Sequence, residues 1–295
     1  MKEIVVISGK GGTGKTSLTA SFSFLGGDSL ITADCDVDAA DMHLLLEPDF
    51  GFEEDFFSGE EAVIDQEKCI SCGKCAAVCR FGAVIQGEQE YQVDKLSCEG
   101  CGYCCRMCPA RAISMEPMNV GKWYASTIKT GGKMVHACLG IGAENSGKLV
   151  AKVKQEARAI ANADDKAIVL VDGSPGIGCP VVSSLSGADY VVFVTEPSVS
   201  GSHDLKRVYQ LVKKFRIPSG CIINKADINP IITSEIEEFL KNSEIDYIAA
   251  LEYDEDFTVS MTQGKTITEY ANSSLSEKVR ESWKKITRII QNKGE

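Results

Sequence analysis

The sequence contains no long apolar run. Stretches such as "AIVLV" at 167–171 fall far short of the ~20 residues that carry a helix across a bilayer, which argues against a helical membrane span. Nor is there a surplus of positive charge. The 31 Lys and Arg against 42 Asp and Glu leave a formal charge of −11, which argues against broad attraction to nucleic acid or anionic lipid. Histidine is scarce: His43, His136 and His203 have neither metal-ligand nor triad spacing, so the expectation for them is structural. The opening "MKEIVVISGK" places one basic residue before a short strand-like run, unlike a secretory leader, and a cytoplasmic location is expected. Neither a long linker nor a low-complexity tract interrupts the chain.

Cysteine, by contrast, is abundant. There are 13, and nine of them lie between Cys69 and Cys108. In a reducing compartment such clustering points to metal rather than to disulfides. The 295 residues suffice for one large α/β domain with an insertion.

The order of elements supports that division. "EIVVIS" at 3–8 reads as a buried parallel strand, "TSLTASFSFLGG" as a helix stopped by Gly26 and Gly27, and "SLITA" at 29–33 as a second strand. This is a β–loop–α–β opening to a doubly wound, mostly parallel sheet. From about 60 to 116 the periodicity is lost and regularly spaced cysteines replace it. It returns with "KWYAST" and "KMVHACL", a helix from about Asn145 to Asn162, and the strands "KAIVLVDGSPG", "ADYVVFVTEP", "GCIINKAD" and "DYIAALEYD". "GSHDLKRVYQLVKKF" and "SEKVRESWKKITRII" read as helices. The expected domains are 1–59 with 117–295, and an insert at 60–116.

Between the first strand and helix, "GKGGTGKT" (Gly9 to Thr16) fits G-x-x-x-x-G-K-[ST] in the context that motif requires. Gly9, Lys10, Gly11, Gly12, Thr13, Gly14, Lys15, Thr16 and Ser17 are the candidate phosphate cradle. Glycines let backbone N–H groups curl around phosphate oxygens at a helix N-terminus. Lys15 is expected at the β- and γ-phosphates and the Thr16 hydroxyl on Mg2+.

Lys10, directly after the first glycine, makes the loop resemble the deviant phosphate loop of the MinD, ParA, Mrp and nitrogenase iron protein superfamily. That resemblance extends through "ADCDVDAAD", "DGSPGIGCPV", "TEPSVSGSHDLKR" and "INKAD". It implies ATP hydrolysis in a nucleotide-sandwiched dimer, with Lys10 reaching the partner's nucleotide. It also implies that Asp36 orients the attacking water and helps hold Mg2+, that Asp172 serves the Mg2+ shell, and that Gly176 senses the γ-phosphate. Asp34, Asp38 and Asp41 are neighbouring carboxylates that solvated loop positions would equally explain. "INKAD" is also the pattern by which GTPases read guanine, so GTP stands as the alternative to ATP; Asn224 is the base-contact residue in either case.

The cysteines fall into two matched runs. Cys69, Cys72, Cys75 and Cys79 have the spacing C-x2-C-x2-C-x3-C, and Cys98, Cys101, Cys104 and Cys108 repeat it, with Pro109 following. In bacterial two-cluster ferredoxins the fourth cysteine of each run ligates the other cluster. The expectation is therefore one 4Fe-4S cluster on Cys69, Cys72, Cys75 and Cys108, and a second on Cys98, Cys101, Cys104 and Cys79. Paired C-x2-C spacings also build zinc sites; the two matched fours favour iron–sulfur. Arg80 stands where the second run has its proline. Cys105 interrupts no interval and is the spare. Cys35, Cys138, Cys179 and Cys221 are scattered and read as small apolar residues, with a cluster-transfer role kept open for Cys35 and Cys179.

With both motif sets the chain resembles those MinD-superfamily ATPases that contain an inserted ferredoxin domain. Three functions follow as expectations: an ATP-gated electron carrier acting on a redox partner, a cluster- or metallocentre-assembly ATPase acting on a client, and a membrane-positioning ATPase of MinD type. The first is favoured. A homodimer, or a heterodimer with a related ATPase, is expected; nucleic acid and membrane are not expected partners. The third reading would need the stripe Val279, Trp283, Ile286 and Ile290 on the last helix, a pattern that also suits packing on the parent domain.

Overall fold

The computed structural model describes residues 1–88, 90–140, 142 and 146–292. The chain divides into two compact units, Met1–Glu54 with Trp123–Cys138 and Ser146–Glu295, and Asp55–Lys122 with Leu139–Asn145.

The chain opens with β1 (Lys2–Ile7), α1 (Lys15–Gly26), β2 (Leu30–Asp34), α2 (His43–Leu46) and β3 (Phe52–Ile64). Then come α3 (Lys74–Val78), β4 (Val84–Gln86), β5 (Tyr91–Val93), α4 (Tyr103–Met107) and β6 (Ile113–Thr127). The remainder is β7 (Lys133–Leu139), α5 (Ser146–Ala163), β8 (Ile168–Asp172), α6 (Cys179–Leu185), β9 (Tyr190–Thr195), α7 (Val199–Phe215) and β10 (Ser219–Ile223). It closes with α8 (Pro230–Asn242), β11 (Asp246–Ala250), α9 (Glu255–Thr262), α10 (Ile267–Tyr270) and α11 (Ser274–Asn292). Asn145, expected to begin a helix, lies outside the described residues; the helix is described from Ser146.

The main sheet runs β11-β10-β9-β1-β8-β2-β7-β6-β3. The pairings from β7 through β11 are parallel, with β1 between β8 and β9. The expected mostly parallel, doubly wound sheet is borne out. Every residue of β9, and all of β1 after Lys2, is buried, as strands covered on both faces require. Because the order reverses at β1, the carboxyl end of β1 opens onto the crevice where such sheets place ligands.

α1 and α11 cover one face. Phe22 stacks on Trp283 with centroids 5.3 Å apart and planes 19° apart, and Val279, Ile286 and Ile290 join the same buried cluster. The apolar stripe of the last helix is therefore spent on its own domain. The loss of periodicity expected from residue 60 is incomplete, because β3 and β6 extend the main sheet by two strands. β3 was hidden by its composition: "FEEDFFSGEEAVI" is largely exposed and carries acids at successive positions, as an edge strand can.

In the second unit, β4 and β5 form an antiparallel pair. Its core is small: Ala62, Cys75, Val84, Tyr91 and Ile113 are buried, with most of the remaining cluster cysteines packed beside them.

Candidate functional site

The loop after β1 is shaped by backbone that only glycine adopts cheaply. Gly12 and Gly14 stand at φ 78° and 88°, and Gly14 is the N-cap of α1 without a side-chain capping bond. The first N–H groups of α1 are left to meet an anion. Gly14 is constrained a second time, since a Cβ there would lie 2.5 Å from the Asn224 amide nitrogen. That amide, at the end of β10, donates to the Thr13 carbonyl at 2.9 Å. A cavity of about 730 Å3 opens over the loop, lined by Gly11 to Ser17, Asp36 and Asn224, a volume ordinary for a bound small molecule.

Beneath the loop lies a compact charge cluster. Lys15 Nζ pairs with Asp172 Oδ2 at 2.7 Å and with Asp36 Oδ2 at 3.6 Å. The Thr16 hydroxyl donates to the same Asp172 oxygen at 2.8 Å, and Thr19 donates to the other oxygen at 2.8 Å. Burial alone would lower the Lys15 pKa; Asp172, Asp36 and Asp34 outweigh it and hold the ammonium above its ordinary value. Burial likewise raises Asp36, against the opposing pull of Lys15. Asp34 is pushed up to about 8, first by burial and then by Asp172, and its buried Oδ2 has no hydrogen-bond partner among the described residues. Three carboxyl groups and a hydroxyl thus converge on one ammonium.

Several sequence-predicted residues stand outside that cavity. Lys10 Nζ pairs with Glu196 Oε1 at 2.7 Å and donates to the hydroxyls of Ser198 and Ser200 at 3.1 and 2.9 Å. The other Glu196 oxygen pairs with Lys225 Nζ at 3.0 Å. Burial would raise the Glu196 carboxyl, and the two lysines hold it below the usual range. Gly9 packs against Asp204, leaving no room for a Cβ. Gly176, at φ 92°, spends its N–H on the Ser8 carbonyl at 2.9 Å. Asp172 is completely buried beneath Lys15.

Sequence reasoning missed Glu196, whose only signal is an acid at the end of a buried strand. It also missed the wall formed by Tyr253, Phe257 and Met261. There the readable cue was Asp254, which caps α9 by accepting from the Asp256 N–H at 2.9 Å. Asp227, the last residue of "NKAD", accepts from the Tyr253 N–H at 2.6 Å and so serves the backbone of that wall.

The second unit holds two further cavities. One is lined by Cys69, Cys72, Cys75 and Cys108, the other by Cys79, Cys98, Cys101 and Cys104. In each, three cysteines come from one run and the fourth from the other. Burial raises the Cys75 and Cys104 thiols, with neighbouring cysteines adding to it; a bound cation is what would offset this and hold them as thiolates. Cys105 Sγ donates to the Ile113 carbonyl at 2.9 Å, which accounts for the spare cysteine as a packing residue. Cys35 and Cys221 are buried, while Cys138 and Cys179 are exposed.

Residues 62–115 match the family model of a 4Fe-4S dicluster domain. Over 98% of this chain and 99% of the other, the structure is similar to the cell division ATPase MinD of Pyrococcus furiosus, with a TM-score of 0.58 at 17% identity. The Pyrococcus horikoshii septum site-determining protein MinD, complexed with Mg-ADP, gives 0.58 at 16% identity over 98% and 96% of the chains. The chain has the fold of the MinD P-loop ATPases. The dicluster segment is inserted in that fold, beginning within β3 and ending within β6. In sequence, the chain is 28% identical to uncharacterized protein MJ0578 of Methanocaldococcus jannaschii over 291 residues, 98% of this chain and 97% of that one. Among the described residues of this MinD-fold chain, no helix is long and apolar enough to cross a membrane.

Proposed function

We propose that this chain hydrolyses ATP as a homodimer, or as a heterodimer with a related ATPase, and couples its nucleotide state to electron transfer through two 4Fe-4S clusters to a partner protein. The nucleotide domain is 1–59 with 117–295, and the inserted ferredoxin-like domain is 60–116. The observation that carries this reading is the division of the eight cluster cysteines, each cavity drawing its fourth thiol from the opposite run. Two-cluster ferredoxins need that exchange; an independent pair of zinc sites does not. Clusters held there would supply one-electron chemistry.

On the nucleotide side, Gly11 to Ser17 would cradle the phosphates, Lys15 would balance their charge, and Thr16, Asp36 and Asp172 would hold Mg2+. ATP is favoured over GTP because the type of phosphate loop, with Lys10 after its first glycine, outweighs the four-residue match of "NKAD"; one oxygen of Asp227 already accepts from the Tyr253 N–H. Lys10 can serve a second subunit only by leaving Glu196, and Gly176 can meet a γ-phosphate only by releasing Ser8. Both rearrangements are the kind that γ-phosphate and Mg2+ drive in switch loops.

A second reading, delivery of a cluster to a client, draws on one observation: Cys72 and Cys101 are exposed. Anaerobic protein, analysed for iron and titrated by EPR with and without Mg-ATP, separates the two. Two retained clusters whose potentials move with nucleotide support electron transfer; loss of iron–sulfur to an apo-acceptor supports delivery. If nucleotide leaves potentials and cluster accessibility unchanged, the proposed coupling is wrong. Faster turnover of GTP than of ATP overturns the base assignment.

A further inference from the structure

The two cysteine runs repeat one backbone almost degree for degree. Gly73 (φ 70°, ψ 0°) and Gly102 (φ 68°, ψ 9°) precede α3 and α4, and Cys79 and Cys108 end those helices at φ −74° with ψ 110° and 111°. The Cys79 N–H bonds the Ala76 carbonyl and the Cys108 N–H bonds the Cys105 carbonyl, both at 3.3 Å. Backbone geometry therefore does little to make one site differ from the other, and any difference must come from side chains.

Setting "CISCGKC" on "CEGCGYC" opposes Ile70 to Glu99 and Lys74 to Tyr103. Lys74 lines the cavity of Cys69, Cys72, Cys75 and Cys108, whereas Glu99 lines that of Cys79, Cys98, Cys101 and Cys104. An added electron is negative charge, which a neighbouring ammonium stabilises and a neighbouring carboxylate opposes. One hydrogen bond acts in the same direction: the Ala112 N–H donates to Cys108 Sγ at 3.3 Å, and donation to cluster sulfur is a recognised lever on potential.

The other charged side chains beside the runs, Glu67, Lys68, Arg80, Lys95, Arg106 and Arg111, are exposed and, unlike Lys74 and Glu99, line neither cavity. Arg106 donates to the Cys101 carbonyl at 3.4 Å and offsets part of the Glu99 charge, while Arg80 follows Cys79 on the same side. Arg111, just after Cys108, adds to the first site. Lys68 and Lys95 are paired with Asp65 and Glu61.

Resting on the reading that each cavity holds a 4Fe-4S cluster, we propose that Lys74 and Glu99 make the two sites redox-inequivalent. The Cys69/Cys72/Cys75/Cys108 site has the higher potential and holds the electron in singly reduced protein. One electron from a low-potential one-electron donor lowers the charge of that cluster by one; no proton or leaving group moves, and no ligand bond breaks.

The test is an EPR-monitored titration of anaerobic full-length protein with titanium(III) citrate, in the wild type, Lys74→Tyr, Glu99→Ile and the double variant. Each substitution imports the residue found at the matching position of the other run. The wild type is expected to show two one-electron waves. Lys74→Tyr lowers only the upper wave and Glu99→Ile raises only the lower, each by about threefold to tenfold in the equilibrium constant, tenfold being 59 mV. The double variant brings the waves together, and high salt narrows the wild-type gap, because both side chains are exposed. An unsplit wild-type wave, or variants that move the other wave or neither, overturns the inference. Iron and sulfide analysis of the same samples tests the underlying reading separately: protein short of two full clusters sinks that reading before any potential is measured.

Discussion

Gly14 carries two demands, a left-handed φ of 88° and contact with the Asn224 amide that ties the loop at Thr13. Gly14→Ala meets neither. Strain of this kind costs roughly 1–3 kcal/mol, so Mg-nucleotide affinity is expected to fall about tenfold to a hundredfold with the main sheet intact; calorimetric titration beside a melting curve checks both. A different residue sets a pH dependence. His136 is buried, with Ser126 Oγ at 2.9 Å from its Nε2 and Tyr124 stacked on its ring. Burial, aided by His43, lowers its pKa from 6.5 to about 4. The folded state therefore disfavours the proton that the unfolded state accepts. The His136 contribution to stability is complete above pH 6.5 and is lost as pH falls towards 4, by at most about 3 kcal/mol. Urea titrations over that window should show the slope, and His136→Gln should flatten it; an unchanged slope would sink the assignment. The phosphate loop and the cysteine ladder were legible residue by residue because their spacings serve local geometry. Glu196 was not, because its partners Lys10 and Lys225 come from distant loops that only the fold brings together.

At the scale of elements, legibility followed burial. β1, β8 and β9 are covered on both faces and read directly as apolar runs. β3 could not be read because its solvated acids follow no alternation, and its place depends on β6 beside it. For α11 the pattern alone left open whether the stripe meets lipid or its own domain; packing on Phe22 and its neighbours in one buried cluster decides for the domain. Trp283→Ala should then cost about 3–5 kcal/mol in urea unfolding, whereas a membrane-binding stripe would leave stability in solution nearly unchanged. Liposome co-sedimentation of the wild type with ATP gives the complementary measurement, with no retention expected.

For the whole molecule, the two units differ in what holds them. The first carries the parallel strands from β11 to β7 and a deep apolar core. The second has most of β3 and β6 and a two-stranded pair, with one apolar group of five buried residues among those described, one of them a cysteine, so clusters would have to supply much of its cohesion. Iron chelation under anaerobic conditions should make residues 60–116 protease-sensitive while the nucleotide domain resists. Equal resistance with and without iron would mean that the unit folds without metal. The sequence alone determined the fold class and where each motif lies, because the phosphate loop, the strand before it and the ferredoxin-like runs are contiguous and their spacing follows from bond geometry. Only the tertiary structure decided where Lys10 rests, that Glu196 joins it to Lys225 and which way the last helix faces, since each depends on groups that are distant along the chain and meet only once it has folded.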